Sequence, residues 1–210
     1  MLFRSVSQSR YNVEYMMFKR SKDCPVHGDY LVEGDDGFIA CNVQLNFKIA
    51  AKLGYKLVIE KARDINDLSF CGLCMGPDGL MPDFHRCLNK FGWTHDEYMI
   101  KQLNSNRYRK KEKELLRAKA MSLLCQSQGT PILQTLALKI LDLTSGSKVH
   151  KKDFDWWEFE TFDVFAIKSR KILMESRLFF EKRFGVSIER QFYIEQSIER
   201  VTAPLFQIHC

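Results

Sequence analysis

Two adjacent aspartates follow a glycine at Gly34-Asp35-Asp36, between two short apolar stretches. Neighbouring carboxylates repel each other, and a turn that only reverses the chain more often uses Asn-Gly or a single Asp. A divalent cation removes this repulsion, because Mg²⁺ and Mn²⁺ prefer carboxylate oxygens as ligands. The glycine lets the backbone turn sharply and lets a ligand come close. The tripeptide therefore indicates a divalent metal site at Asp35 and Asp36, with a plain solvated turn as the alternative.

A second group of candidate residues is basic. Between residues 101 and 120 there are eight Lys and Arg residues and two Glu residues, so this segment carries the same net charge, +6, as the whole chain. Arg109, Lys113 and Arg117 are spaced by four residues, which places them on one face of a helix. Such a row suits a polyanion, because each neutralised phosphate releases condensed counterions. A solvated helix face is the alternative.

Four residues carry the chemistry of a zinc site. Cys71 and Cys74 form a Cys-x-x-Cys pair, and His85 and Cys87 follow it along the chain. Zinc is bound tetrahedrally by four such nitrogen and sulfur ligands. The spacing of His85 and Cys87 is atypical of zinc sites. A zinc site closing the start of residues 80–210 therefore stays an alternative.

The elements that position the two aspartates are read from the hydrophobic pattern. Tyr30–Asn42 has the pattern of a tight β-hairpin with the Gly/Asp cluster at its tip. Helical spacing follows over 43–53, and Gly54 stands where a C-cap is expected. Tyr55–Glu60 is predicted to be a strand, and Leu68–Met75 a further strand. The first third of the chain is therefore strand-rich.

The remainder of the chain is predicted to be helical. The cluster Gly76-Pro77-Asp78-Gly79 marks a boundary, because glycine and proline interrupt regular structure. The helices predicted beyond it cover 94–103, 106–127, 131–143, 161–183 and 188–200. The fold class is therefore α+β, with residues 1–79 forming β-hairpins with a helix and residues 80–210 forming an all-helical domain.

Composition sets the broad class. The chain has 210 residues, of which 45% are hydrophobic and 28% charged, which suits a globular protein and no disordered or fibrous one. Seven cysteines are an odd number, and no secretory region follows Met1, so we expect reduced thiols in a cytosolic setting. The longest apolar helical stretch, Pro131–Leu143, is too short to span a bilayer. No transmembrane segment is expected.

The order of the elements resembles the palm domain of RNA-directed RNA polymerases from positive-strand RNA viruses. In that family the Gly-Asp-Asp hairpin is motif C, the following helix and strand are motif D, and a Phe-Cys-Gly strand that begins a second hairpin, here at Phe70-Cys71-Gly72, is motif E. The string Val32–Gly37 is similar to the tombusvirus- and nodavirus-like branch, which includes bee paralysis virus relatives. The segment Arg117–Leu124, leading into Gly129–Leu133, is similar to the thumb of the same branch.

The resemblance implies a partial right-hand palm followed by a helical thumb, and a nucleotidyl transfer reaction. Asp35 would be the primary ligand of catalytic Mg²⁺ or Mn²⁺, and Asp36 would tune the site and contact the second ion. The RNA 3′ hydroxyl would attack the α-phosphate of a nucleoside triphosphate and release pyrophosphate. The family uses a motif D lysine as proton donor, for which Lys61 is the candidate and Lys56 the runner-up. Either can equally be an ordinary surface lysine.

The resemblance also implies RNA contacts and a missing part. Phe70, Cys71 and Gly72 would form the primer grip, and the row Arg109, Lys113 and Arg117 would contact phosphates of the template and product RNA. The motif A aspartate and the motif B loop do not precede residue 30, so residues 1–79 would hold only the end of the motif B helix with motifs C to E. We therefore expect the chain to need the upstream fingers and palm, and to have no polymerase activity alone.

Two alternatives to an active polymerase remain. The first is a non-catalytic RNA-binding or zinc-stabilised helical module, in which the aspartates are a chance turn. The second is an inert viral remnant. As a polymerase, the protein would act in the host cytoplasm, and the family adds the expectation of membrane-associated replication complexes.

Overall fold

The computed structural model describes residues 28–33, 36–41, 48–52, 54, 56, 58–62, 64–77, 79–92, 106–150 and 168–203. Over these residues the fold is α+β, with two small antiparallel sheets and a set of helices. The chain divides into two compact units, Met1–Leu73 and Cys74–Cys210. This division falls near the boundary predicted at residue 79.

The first sheet of the N-terminal unit is the predicted hairpin. Strands β1 (Gly28–Glu33) and β2 (Asp36–Cys41) pair in antiparallel register, from Gly28 opposite Cys41 to Glu33 opposite Asp36. Two residues connect the strands, which is the shortest common hairpin connection. The predicted hairpin is therefore confirmed.

After the hairpin, the helix predicted over 43–53 is confirmed over 48–52, and residues 43–47 and 53 lie outside the described part. Helix α1 covers Lys48–Lys52, and Gly54 follows at φ +87° with its N–H donated to the Ala51 carbonyl at 3.1 Å, as expected of a C-cap. The predicted strand Tyr55–Glu60 is wrong, because the described residues 56 and 58–60 pair with no other strand. Val58 is 91% exposed. A strand needs a hydrogen-bonded neighbour, which an apolar pattern alone does not supply.

The second sheet corrects the single strand predicted over Leu68–Met75. A short 3-10 turn, Ile65–Asp67, precedes strands β3 (Ser69–Phe70), β4 (Leu73–Gly76) and β5 (Gly79–Pro82), which lie in the order β3-β4-β5. Cys71 and Gly72 separate β3 from β4, with φ of +53° and +79°. Positive φ at both central residues defines the tight turn of a two-residue hairpin. Strand β5 also extends past residue 80, where only helices were predicted.

The C-terminal unit contains helices α2 (Phe84–Lys90), α3 (Asn106–Gln126), α4 (Leu133–Leu143), α5 (Met174–Phe184) and α6 (Ile188–Glu199). The helices predicted over 106–127, 131–143 and 188–200 are confirmed within two residues at each end. The predicted helix 94–103 lies outside the described residues. Helix α2 was not predicted, although its N-cap Asp83 accepts a hydrogen bond from the Arg86 N–H at 2.8 Å.

The helix predicted over 161–183 begins only at Met174. Residues 168–173 have no helical structure, and residues 161–167 lie outside the described part. The Gln134 side chain explains this difference: it accepts from the Arg170 N–H at 3.0 Å and donates to the Arg170 carbonyl at 2.8 Å. The same side chain accepts from the Gly129 N–H at 2.8 Å. These tertiary hydrogen bonds hold the Arg170 backbone in place of helical ones.

The core of the C-terminal unit is built from β5 and the helices. Its buried apolar residues are Met81, Phe84, Leu123, Leu124, Ile132, Leu133, Ala137 and Phe180. The rings of Phe84 and Phe180 meet edge to face with centroids 5.0 Å apart, and Phe180 and Phe184 lie 4.8 Å apart. Each fully buried Phe side chain contributes about 1.5–3 kcal/mol through removal of apolar surface from water.

A buried ion pair organises the start of α4. The Arg177 Nη2 lies 2.8 Å from the Glu195 Oε2, and both side chains are at most 9% exposed. The Glu195 Oε1 accepts from the Ile132 N–H at 2.8 Å. Ile132 has φ +65° and ψ −54°, and the Leu133 N–H donates to the Pro131 carbonyl at 2.6 Å, which makes a γ-turn of the rare, strained kind. The ion pair therefore also fixes the backbone at this turn.

Among the described residues, no helix is both long enough and apolar enough to cross a membrane.

Candidate metal centre and nucleic-acid interface

The hairpin concentrates negative charge at its tip. Glu33 and Asp36 are partners on the last rung of the β1–β2 ladder, and both are exposed. Gly34 and Asp35, which connect them, lie outside the described residues. Side chains of directly opposed strand residues lie on the same face, and like charges there are destabilising. Three carboxylates within four residues are therefore a costly arrangement, and a divalent cation would relieve the cost.

The turn between β3 and β4 reaches this acidic rung. The Cys71 thiol lies near enough to the carboxylates of Glu33 and Asp36 for their charge to act on its pKa, although more than 30 residues separate them along the chain. Burial first, and then these two carboxylates, raise the pKa of Cys71 from 9.0 to about 12. The Phe-Cys-Gly turn and the acidic hairpin thus contact each other within the N-terminal unit.

The donor atoms at the hairpin suit a hard cation. They are carboxylate oxygens, which are the ligands of Mg²⁺ and Mn²⁺, and the neighbouring thiol is protonated near neutral pH and is a poor ligand in that form. The described residues contain no group of three or more His, Cys, Asp or Glu side chains that could hold a metal. Asp35 does not belong to the described residues. The described carboxylates of Glu33 and Asp36 are thus of the type that Mg²⁺ and Mn²⁺ prefer, and they do not form a metal-binding group by themselves.

The four residues of the zinc alternative are all described, and they do not assemble as ligands. Burial raises the pKa of Cys74, which a hydrogen bond to Arg183 partly offsets, and burial with the nearby Asp83 raises the pKa of Cys87 to about 11. Cys71, Cys74 and Cys87 are all free thiols. Zinc binds thiolates, so protonated thiols in separate surroundings are not a preformed zinc site.

The candidate motif D lysines are both exposed. Lys56 and Lys61 lie between α1 and the 3-10 turn, in a stretch whose described residues form no helix or strand. Nothing in their surroundings distinguishes one from the other. The assignment of Lys61 as proton donor therefore stays a prediction.

The primer-grip candidates lie in and beside the turn. Phe70 ends β3 and is half-buried, and Gly72 completes the turn with its positive φ. Cys71 is unusual there, because a non-glycine residue at positive φ is uncommon and the position favours Asn or Gly. The turn therefore places Cys71 near the hairpin acids. At Gly72 no side chain covers the backbone of the turn.

The basic helix α3 is divided between exposure and burial. Its C-terminal half is covered on several sides, with Ala118, Ala120, Leu123 and Leu124 all buried. In the N-terminal half Lys110 and Lys113 are exposed. The side chain of Arg109 lies outside the described part. The exposed lysines are therefore the ones in position to meet a polyanion.

Arg117 has a structural partner. Its Nη1 donates to the Leu141 carbonyl in the last turn of α4 at 2.7 Å, and the residue is half-buried. A cation at this place also interacts favourably with the negative end of the helix dipole. Arg117 thus anchors α3 to α4, and its proposed phosphate contact would use the remaining N–H groups.

Sequence reasoning missed two functional candidates, Glu33 and Lys110. Glu33 could have been found from the hairpin itself, since a two-residue connection at Gly34-Asp35 puts Glu33 opposite Asp36. The contact of Cys71 with both acids had no sequence signal, because it depends on the folding of a distant segment onto the hairpin.

Comparison of the chain with protein-family models, with curated proteins and with solved structures finds no match.

Proposed function

We propose that this chain is the palm-and-thumb part of an RNA-directed RNA polymerase, which transfers nucleotides to an RNA 3′ end. The observation that carries the proposal is the acidic hairpin tip, with Glu33 opposite Asp36 around Gly34-Asp35, in contact with the Phe70-Cys71-Gly72 turn. Motifs C and E of the family are this hairpin and this turn. Their contact in the N-terminal unit supports the proposal beyond the order of the motifs along the chain.

In the proposed reaction, Asp35 and Asp36 hold the catalytic ions, and Asp35 is the primary ligand. Asp35 and Asp36 would hold divalent ions, which would supply activation of the attacking 3′ hydroxyl and charge stabilisation of the leaving pyrophosphate. The strand ladder fixes the backbone of Asp36 before substrate arrives, and such positioning provides much of the catalysis of phosphoryl transfer. The Gly72 backbone, which has no side chain, allows the RNA end to come close. Lys61 is the proposed proton donor to pyrophosphate.

The RNA duplex is proposed to lie along the N-terminal half of α3. Lys110 and Lys113 are exposed there, and residues 101–120, which include this half of the helix, carry the same net charge, +6, as the whole chain. Contacts with phosphates position a nucleic acid without reading its sequence, which a general replication enzyme requires. The fingers and the remaining palm strands would complete the ion site with a further aspartate.

A second function, non-catalytic RNA binding, is favoured by the same exposed lysines. It uses Lys110 and Lys113 and leaves the hairpin without a role. The two functions differ in their need for the acidic tip, so cation binding there separates them.

Binding of Mn²⁺ to the 210-residue chain, measured by electron paramagnetic resonance of the free ion, tests the proposed site. The double change Asp35→Asn with Asp36→Asn should weaken Mn²⁺ binding by more than about tenfold, since even the loss of groups that only orient ligands costs about that much. Glu60→Gln removes an exposed carboxylate of the same unit outside the hairpin and should leave the affinity unchanged. Equal affinities for all three proteins would contradict the proposed metal site.

A further inference from the structure

The local sequence and the observed backbone conformation disagree at the start of α4. Thr130 followed by Pro131 is a favourable beginning for a helix, because threonine is a preferred N-cap and proline a preferred first helical residue. The Gln134 N–H donates to the Thr130 carbonyl at 3.2 Å, which is the first hydrogen bond that such a helix would make. Helix α4 nevertheless begins at Leu133, and Ile132 before it has φ +65°.

The observed conformation of Ile132 is unfavourable and is maintained from another helix. A β-branched residue at positive φ is an outlier, since its side chain crowds the backbone. Ile132 is 2% exposed, and its N–H donates to the Glu195 Oε1 at 2.8 Å. Glu195 is in turn held by Arg177, whose Nη2 lies 2.8 Å from the Glu195 Oε2. The contact with α6 therefore holds a conformation that the local sequence does not favour.

The Thr130 hydroxyl is an alternative acceptor for the same N–H. Thr130 is 2% exposed, and its hydroxyl has no hydrogen-bond partner among the residues that the structure describes. In a helix that begins at Pro131, the N-cap hydroxyl accepts from the second or third helical N–H, which here belong to Ile132 and Leu133. Rotation of the Pro131–Ile132 peptide would thus remove the positive φ, give the buried hydroxyl a partner, and leave the Ile132 N–H paired.

We propose that the start of α4 is a two-state latch between α4 and α6. In the latched state, which is the one observed, the Ile132 N–H is donated to Glu195. In the released state Ile132 is helical, its N–H is donated to the Thr130 hydroxyl, and Glu195 keeps Arg177 as its partner. The latch lets the pair of helices α5 and α6 move relative to α4 without leaving a buried donor unpaired. It is independent of the proposed polymerase function, since it uses no residue of the acidic hairpin or of α3.

The φ of Ile132 is measured in full-chain variants that leave no buried charge unpaired. Arg177→Met with Glu195→Leu replaces the ion pair by apolar side chains, a change that buried pairs often tolerate. The Ile132 N–H then has no acceptor on α6, so we expect the released, helical conformation. Arg177→Met with Glu195→Gln is the matched control, in which the amide oxygen still accepts and the positive φ should be retained. The nuclear Overhauser effect between the amide proton and Hα of Ile132 reports the difference, because it is strong at positive φ and weak in a helix.

The alternative acceptor is tested by Thr130→Val, which removes the hydroxyl and keeps the shape of the side chain. In the wild-type background no hydrogen bond is lost, so the urea-unfolding equilibrium should stay the same or shift towards the folded chain. In the background of Arg177→Met with Glu195→Leu, the same change should favour unfolding about fivefold, the usual effect of losing an N-cap hydroxyl.

Two results would overturn the latch. One is a positive φ at Ile132 in the chain with Arg177→Met and Glu195→Leu, because Glu195 would then not be the group that holds the turn. The other is destabilisation by Thr130→Val in the wild-type background, because the hydroxyl would then already be bonded in the latched state. This second measurement needs no change of the ion pair, so it decides the question even if the apolar pair prevents folding.

Discussion

At the scale of single residues, the hairpin tip is governed by charge. Glu33 and Asp36 face each other, and Asp35 lies between them in the sequence. The type and spacing of the acids predict a cation site from the sequence alone. The Cys71 thiol, whose pKa these acids raise, is different, because its approach depends on the folding of a segment that is distant along the chain. The acidic cluster could therefore be predicted from the sequence, whereas the residue that approaches it from elsewhere in the chain could not.

The pKa of Cys87 gives a prediction at the same scale. Because burial and Asp83 raise this pKa from 9.0 to about 11, the thiolate population at a pH below both values is about a hundredfold lower in the folded chain than in the unfolded one. Alkylation of Cys87 by iodoacetamide, followed by mass spectrometry, should therefore be much slower in the native chain than in urea. Asp83→Asn keeps an N-cap and removes the charge, so it should speed the native reaction modestly.

The sign of the accompanying stability change follows from linkage. As the pH rises from 9.0 towards about 11, the unfolded chain releases the Cys87 proton and the folded chain keeps it. The free energy of unfolding should therefore fall with pH in this window, and this contribution should be constant below it. Equal alkylation rates of Cys87 in native and urea-unfolded chain would contradict both statements.

At the scale of elements, the helices and strands with strong local sequence signals were predicted correctly. The errors in element bounds occurred where tertiary contacts decide the backbone conformation. The Gly/Asp tip set the register of β1 and β2, and the long periodic pattern predicted α3. The helix expected over 161–183 begins late because Gln134 holds the Arg170 backbone. The strand expected over Tyr55–Glu60 is absent among the described residues of that segment, because an apolar pattern does not specify a pairing partner.

The buried ion pair between α5 and α6 gives a prediction about an element. Glu195→Gln removes the charge that compensates Arg177 and should destabilise the chain by about 3 kcal/mol, because a buried charge is left without a counterion. The γ-turn at Ile132 loses a charged acceptor in the same change. Urea unfolding followed by circular dichroism measures the difference. Glu199→Gln changes an exposed residue of the same helix and should cost less than about 0.5 kcal/mol; equal losses in the two variants would show that the pair is not stabilising.

The basic half of α3 gives a second prediction about an element. Lys113→Glu should weaken RNA binding and reduce the slope of log affinity against log salt by about 1, since one phosphate contact contributes roughly 0.7–0.9 to that slope. Fluorescence anisotropy of labelled RNA at several salt concentrations measures both quantities. Lys182→Glu makes the same charge change at an exposed position of α5 and is the control. An unchanged slope in Lys113→Glu would remove this helix from the RNA path.

At the scale of the whole molecule, burial is unequal between the two units. All the described residues that form the buried apolar core belong to Cys74–Cys210. Where burial is described in Met1–Leu73, every residue is exposed or half-buried. A sheet must cover one face to be stable, so the hairpin unit has apolar surface left for other elements. The α+β class and the helical C-terminal unit could be predicted from the sequence. Which elements would cover the apolar surface of the hairpin unit could not, because the pattern of one strand pair does not specify what packs on it.

Asp35 is proposed to belong to the catalytic site of a polymerase, and template-directed nucleotide incorporation tests this role most directly. The assay uses the chain alone and a polypeptide that joins it to fingers and a motif A strand, with RNA binding measured on the same samples. We predict no incorporation by the chain alone and incorporation by the joined polypeptide. In the joined polypeptide, Asp35→Ala should reduce incorporation to background with RNA binding retained, and Glu60→Ala should leave both unchanged. Incorporation by Asp35→Ala at the wild-type rate would contradict the account.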